Sequence, residues 1–245
     1  MLGHEQIRNR LLRSLAMADF DRLAKVAGLV DLERGLVLYE AETTVDKVWF
    51  PETGLISIIS CMLSGSMIET SVVGCEGGLG FIEAAGGGMV FSRAVVQVPG
   101  RFVSVPAASY RAAFDGSASL RSTVQDHTEL LLTEARQAMA CVALHSAPQR
   151  LAWWLLEAQD RIGGSNQLPL TQEFLAVMLG VTRPTVSIVA SELQRAGLIN
   201  YRRGNITVLN REGLEREACE CYATTQHFRR QIEGLHTGSA RTGTE

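Results

Sequence analysis

The chain has 245 residues, a formal net charge of −3, 46% hydrophobic residues and 20% charged residues. That is the composition of one or two globular domains, and it excludes collagen, a long coiled coil and wholesale disorder. No apolar run approaches the roughly 20 residues that cross a bilayer, and the N-terminal stretch lacks the apolar block of a signal peptide, so a cytoplasmic chain with no membrane partner is expected.

Among 23 Lys and Arg, only Lys25 and Lys47 are Lys. Arg is the better fork for carboxylate and phosphate, although high-GC codon usage produces the same bias. Over 150–211, seven Arg stand against four acidic residues, in a chain that is otherwise negative. This local excess hints at a polyanion partner. Five cysteines, Cys61, Cys75, Cys141, Cys219 and Cys221, are scattered, as expected of free thiols in a reducing compartment.

In chain order, residues 4–28 repeat Leu11, Leu12, Leu15, Leu23 and Val26 at helical spacing and predict short amphipathic helices. From 30 to about 106, short β-branched runs alternate with turn signals such as Pro51-Glu52-Thr53-Gly54 and Pro99-Gly100-Arg101. Many short strands at close spacing predict an antiparallel sandwich or roll. From about 107 the pattern turns helical. Val124, Thr128, Leu131, Ala135, Ala138, Val142 and His145 recur at alternating steps of four and three, a heptad-like seam. Residues 119–146 would form a rod of roughly 40 Å. The first six of these are the candidate dimer interface, and the same helix can also rest on its own β-domain. Pro148 opens a further helix that stops near Gly163-Gly164.

Residues 172–191 read as two helices joined by a tight turn. Thr171 is a candidate N-cap, and Leu175 and Leu179 form the buried face of the first helix. Ala176 is small where the helices must cross. Gly180 sits where the turn needs a left-handed backbone. Thr182 caps the second helix, and Pro184 lies in its first turn, where a missing N–H costs nothing. Val186, Val189 and Leu193 return that helix to the core. Two strands, 198–202 and 206–209, follow around Arg203-Gly204-Asn205 and predict a wing. The pattern is that of a winged helix-turn-helix. Arg183 can address guanine O6 and N7. Thr182, Thr185 and Ser187 suit phosphates or base edges, Ile188 a thymine methyl, and Thr171 and Gln172 complete the surface. Arg202 and Arg203 would hold phosphates without reading sequence.

At these residues the chain resembles transcription regulators of the cyclic-AMP-receptor/Fnr (Crp/Fnr) superfamily. The most specific stretches are Leu170-Thr171, Leu179-Gly180-Val181-Thr182-Arg183-Pro184-Thr185-Val186 and Leu193-Gln194-Arg195-Ala196-Gly197-Leu198-Ile199. The resemblance implies an α+β chain in four parts: a β-roll sensor of the cyclic-nucleotide-binding type over 1–118, a dimerisation helix over 119–147, a winged helix-turn-helix over 148–221 and a partly disordered C-terminal extension over 222–245. It implies that Arg183 takes the place of the first base-reading Arg. Many members carry a Glu and a second Arg where this chain has Pro184 and Ile188, so their operator does not carry over.

Cyclic-nucleotide-binding members follow a Gly-Glu with an Arg-Ser/Thr-Ala. The matching stretches here are Gly74-Cys75-Glu76-Gly77 and Ser92-Arg93-Ala94, which make Gly74, Glu76, Gly77, Ser92 and Arg93 the candidate effector residues. The Arg stands one place late, and a one-residue slip on an extended chain turns a side chain to the opposite face. Cyclic AMP or GMP, another small ligand and no ligand all stay open. No Cys precedes Cys61, which sets the chain apart from the iron–sulfur branch, and His127 and His145 lack the pattern of a haem site. Cys219-Glu220-Cys221 is too tight for zinc without further ligands, so no metal site is expected.

The expected function is that of a homodimer on a pseudo-palindromic double-stranded DNA operator, switched by a small effector, with RNA polymerase a further candidate partner. The alternative is a winged-helix regulator that acts through protein contacts and has a degenerate pocket. An enzyme is not expected, because no nucleophile motif, phosphate-binding loop or dinucleotide fingerprint appears.

Overall fold

The computed structural model describes residues 3–239, with side chains through Ile232. Helices α1 (Arg10–Arg13) and α2 (Met17–Ala24) lead into a roll of two antiparallel sheets. The first sheet has the order β1 (Gly28–Leu32), β7 (Gly100–Pro106), β3 (Lys47–Pro51). The second has β2 (Val37–Tyr39), β6 (Arg93–Val98), β4 (Leu55–Cys61), β5 (Met67–Val73). Alternating apolar residues fill the space between them, including Phe50, Ile56, Val96 and Phe102, with α2 and the start of the long helix closing the ends. Two elements carry no clear signal in the sequence pattern: β1, and α3 (Phe81–Ala85), which occupies what reads in sequence as a loop.

After α4 (Ala107–Gly116), helix α5 runs unbroken over Ala118–Leu144, with the Ser117 hydroxyl accepting from the Leu120 N–H at its start. Helix α6 (Ala147–Arg161) follows, and Ser146 and Gln149 form a capping box at its N-terminus. The module beyond it consists of α7 (Gln172–Leu179), α8 (Arg183–Arg195), α9 (Arg211–Glu217) and a three-stranded sheet, order β8 (Gln167–Leu168), β10 (Asn205–Val208), β9 (Ile199–Arg202). The segment from 222 is not a loose extension: α10 spans Cys221–Ser239 and lies along α5 and α6. The remainder of the expected disordered tail, 240–245, lies outside the described residues.

The second core crosses the boundary between sensor and winged helix. Leu55, Val72 and Val98 of the second sheet share one apolar cluster with Leu151, Leu155, Leu175, Val186 and Ile206. At this junction Gly74 faces Arg161 so closely that a Cβ would stand 2.5 Å from the Arg161 Cβ. Any side chain there would push the two parts of the molecule apart. The Cys75 N–H donates to the Arg161 carbonyl at 2.9 Å.

A buried ion network lies beside this contact. Arg161 meets Glu76 (2.9 Å), Glu157 (3.1 Å) and Glu134 (3.2 Å), and also donates to the Val72 carbonyl. Arg229 of α10 meets Glu134 and Glu157, each at 2.6 Å. Burial alone would raise the Glu134 carboxyl, but the two guanidiniums outweigh it and hold it below its ordinary range. Burial would lower Arg161, and the carboxylates outweigh that as well.

Nearby, the Trp154 indole of α6 donates to Glu69 of β5 at 2.8 Å, and the Ser57 hydroxyl donates to the same carboxyl at 2.5 Å. Burial pushes this carboxyl up from 4.5 to about 7, against those two hydrogen bonds and Arg161. The folded chain therefore holds a proton that the unfolded chain releases at lower pH. The stabilisation is full below the unfolded value of 4.5 and is lost as pH rises through about 7, with a slope of at most about 1.4 kcal/mol per pH unit. Denaturant unfolding of wild type and Glu69→Gln across this range should show the wild-type advantage shrinking as pH rises. Parallel curves for the two proteins would exclude a raised Glu69.

Candidate nucleic-acid interface

Helix α7 and helix α8 meet at 99°, in the range of a helix-turn-helix. The turn follows from its residues. The Thr171 hydroxyl accepts from the Phe174 N–H at 3.2 Å, and Gly180 ends α7 in the left-handed region at φ 63°. Arg150 of α6 donates to the Leu179 carbonyl, which ties the turn to the rest of the module. Val186, Val189 and Leu193 are buried, so the opposite face of α8 is outward.

That outward face carries the predicted residues. Thr182, Arg183 and Ile188 are exposed, and Thr185 and Ser187 are half-buried. Thr182 stands at the N-cap, but its hydroxyl meets that of Thr185 at 3.0 Å rather than a backbone N–H. Gln172 donates to the Ser187 hydroxyl at 3.0 Å, linking the two helices across their polar side.

The wing is a two-residue hairpin. Arg203 (φ 51°) and Gly204 (φ 76°) both take positive φ, the type I′ pattern that matches the strand twist. The turn is therefore Arg203-Gly204, and Asn205 belongs to β10 rather than to the loop. Sequence patterning also misses β8, whose pairing with β10 anchors the wing. Arg202 and Arg203 are exposed at the tip. Between wing and helices lies an open concavity of about 500 Å³, lined by Thr171, Gln172, Glu173, Arg183, Tyr201 and Arg203.

Glu173 is a member of this surface that the sequence does not reveal. It pairs with Arg183 at 2.6 Å, with the two side chains 73% and 59% exposed. Glu173 lies in the first turn of α7, where acidic residues are common, and nothing in the local sequence marks it as a partner of Arg183.

The two charged residues among the effector candidates each have another partner. Glu76 is engaged by Arg161 and by the Gly74 N–H (3.0 Å), while Arg93 pairs with Glu40 at 3.3 Å. Ser92 is half-buried beside it. A Cβ at Gly77 would stand 2.8 Å from His127 Nε2, so this glycine permits close packing on α5. His127 is buried against Phe81, and burial lowers its imidazole. Not all of the residues expected at a dimer interface face outward. Val124 is buried in the sensor core, Leu131 is packed against it and Thr128 is half-buried, its hydroxyl donating to the Val124 carbonyl at 2.7 Å. Ala138 is half-buried and lines one cleft together with Leu131, Ala135 and Val142. The outward stripe is Leu132 (50% exposed), Ala135, Met139 (73%) and Val142 (52%), which keeps only Ala135 and Val142 of the expected set.

The chain thus joins a β-roll by one long helix to a winged helix-turn-helix. Residues 149–217 match the Crp-like helix-turn-helix domain. The fold is similar to that of FixK2 from Bradyrhizobium japonicum, at 19% identity and TM-score 0.68, covering 79% of this chain and 98% of that one. A Crp/Fnr-family transcriptional regulator from Thermus thermophilus is similar at 24% identity and TM-score 0.63, covering 78% and 98%. The c-di-GMP-responsive global regulator CLP from Xanthomonas campestris is similar at 15% identity and TM-score 0.61, covering 79% and 99%. No curated protein matches the chain in sequence. Among the described residues, no single helix is long and apolar enough to cross a membrane.

An exposed ion pair is worth about 0–1 kcal/mol, so freeing Arg183 costs little, and removing the Glu173 carboxylate makes this surface more cationic. Glu173→Ala should tighten DNA binding by about two- to fivefold, read by fluorescence anisotropy on a duplex carrying the operator. A loss of affinity would mean that Glu173 positions Arg183 instead of masking it.

Proposed function

We propose that the chain is a homodimeric, sequence-specific transcription regulator in which α8 enters the major groove and the wing grips the flanking backbone. The observation that carries this reading is the outward face of α8, with Thr182, Arg183 and Ile188 free of the core, set beside a cationic wing. Arg183 reads a base edge. Gln172, Thr185 and Ser187 contact phosphate or base edges beside it. Arg202 and Arg203 set register on phosphates. Pairing of two copies along Leu132, Ala135, Met139 and Val142 would set the recognition helices about 34 Å apart on a pseudo-palindromic site.

Regulation, in this reading, passes through Glu76. Its carboxylate already serves Arg161, so an effector acts by competing for it and loosening α6, on which the winged helix rests. The alternative, a degenerate pocket and regulation through protein contacts, is favoured by the pairing of Glu76 with Arg161 and of Arg93 with Glu40. Under that alternative, titration with cyclic AMP gives no heat by calorimetry and leaves DNA affinity unchanged.

Arg183→Ala should cost about 1–3 kcal/mol on the operator and relax preference at one base position. Arg203→Gly keeps the positive-φ turn without strain and removes only the cation. It should weaken operator and random DNA alike and lower the salt slope by about 0.9. Selection from a randomised duplex pool, with binding measured at several salt concentrations, separates the two roles. Indistinguishable behaviour of the two variants would overturn them. Met139→Glu, on an exposed position, should yield a monomer by light scattering and lose operator affinity. A dimer that persists would move the seam elsewhere.

A further inference from the structure

The end of α5 and the start of α10 bring together four soft donors that DNA binding does not use. Cys141 lies in the last turn of α5 and His145 one turn on, at its C-cap. Cys219 lies two residues before α10 and Cys221 opens it. Their ligand atoms all lie within 4.8 Å of one another. The Cys141 and Cys219 sulfurs are 3.5 Å apart, and so are the Cys221 sulfur and His145 Nδ1. A tetrahedral zinc ion with bonds of about 2.3 Å to sulfur and about 2.0 Å to nitrogen sets its donors roughly 3.4–3.8 Å apart. The two sulfurs are well beyond the roughly 2.05 Å of a disulfide, and all four cysteines other than Cys61 are buried.

The surroundings are those of a metal site rather than of idle thiols. His145 Nε2, turned away from the sulfurs, meets the Glu220 carboxylate at 3.1 Å. A carboxylate on the distal nitrogen fixes the tautomer and orientation of a ligating imidazole. Gln137 Nε2 donates to the Cys221 sulfur at 3.1 Å, as a hydrogen bond to a thiolate requires. The negative end of the α5 dipole also points at this spot and favours a cation. The Cys219-Glu220-Cys221 run therefore does have further ligands. Sequence spacing hides them because Cys141 lies 78 positions from Cys219, although a Cys and a His at (i, i+4) share one helical face.

We infer that Cys141, His145, Cys219 and Cys221 form a closed, structural Cys₃His site for one zinc ion per chain. The site joins the point where the chain enters the winged-helix module to the point where it leaves, so zinc fixes the hinge between α5 and α6 and clamps α10 on α5. Four donors occupy all four positions, which leaves none for a reacting water, and the donors stand too close together to enclose a multi-iron cluster.

The test uses the full-length chain, purified under reducing conditions. Metal analysis should find about one zinc per chain. After chelation, cobalt(II) should restore a one-to-one complex with the visible bands of a tetrahedral ion and the charge-transfer band of thiolate ligation, and zinc should bleach both. Cys61→Ser and Cys75→Ser should bind cobalt like wild type, and Cys219→Ser should not. Because substitution of a buried cysteine can unfold the chain, the decisive variant is Glu220→Ala, whose side chain is 75% exposed. It should fold by circular dichroism and bind cobalt about 10- to 100-fold more weakly. The site is overturned if the chelated wild type takes up no cobalt with five free thiols. It is also overturned if Cys141 and Cys219 are found as a disulfide, if iron and sulfide are present instead, or if Glu220→Ala binds as tightly as wild type.

Discussion

Two arginines and three carboxylates, withdrawn from water, hold this molecule in one piece. Arg161 and Arg229 contact Glu76, Glu134 and Glu157, and these five residues come from the sensor, the long helix, α6 and the C-terminal helix. Taking ionised groups out of water costs several kcal/mol each, and only well-placed partners offset it. Such a set is stable when complete and costly when any member is withdrawn. The network thus acts as a specificity device: it disfavours every arrangement of sensor and winged helix in which one of the five residues is displaced.

The DNA-binding face combines strong local order with loose side chains. Capping at Thr171, the left-handed Gly180 and four buried residues of α8 fix the backbone. The outward side chains meanwhile satisfy one another through short polar contacts: Gln172 with Ser187, Thr182 with Thr185, Arg183 with Glu173. Each of these contacts is exposed and weak, so under the proposed function DNA replaces it at small cost. The surface is ordered in advance without being committed in advance, which limits the entropy lost on binding.

How much of this is legible in the sequence depends on the range of the forces involved. The helix-turn-helix can be read because caps, turn glycines and helical periodicity act over a few residues. The β-roll can be read because β-branched runs and turns are local. Glu76 stands out in the sequence as an effector residue, yet its partner Arg161 lies 85 positions away and comes from a different domain. The outward apolar stripe of α5 reads one step out of phase because two faces of α5 are apolar: one, with Val124 and Leu131, belongs to the first core, and periodicity cannot say which face meets which neighbour. The C-terminal segment reads as polar and tail-like, and only its docking on α5 and α6 reveals a helix with buried positions.

The apolar cluster that unites Leu55, Val72 and Val98 with the winged helix bears on how this protein can be rebuilt. A β-roll joined to a winged helix by one long helix invites modular engineering, with one head exchanged for another at the end of that helix. Here a cut at Ser146 would strip oily surface from both fragments. A transplanted head would need to bring matching bulk against the outer strands of its host, and the recipient would need a glycine where Arg161 comes to rest. The natural unit of exchange is the head together with the patch of barrel wall on which it sits.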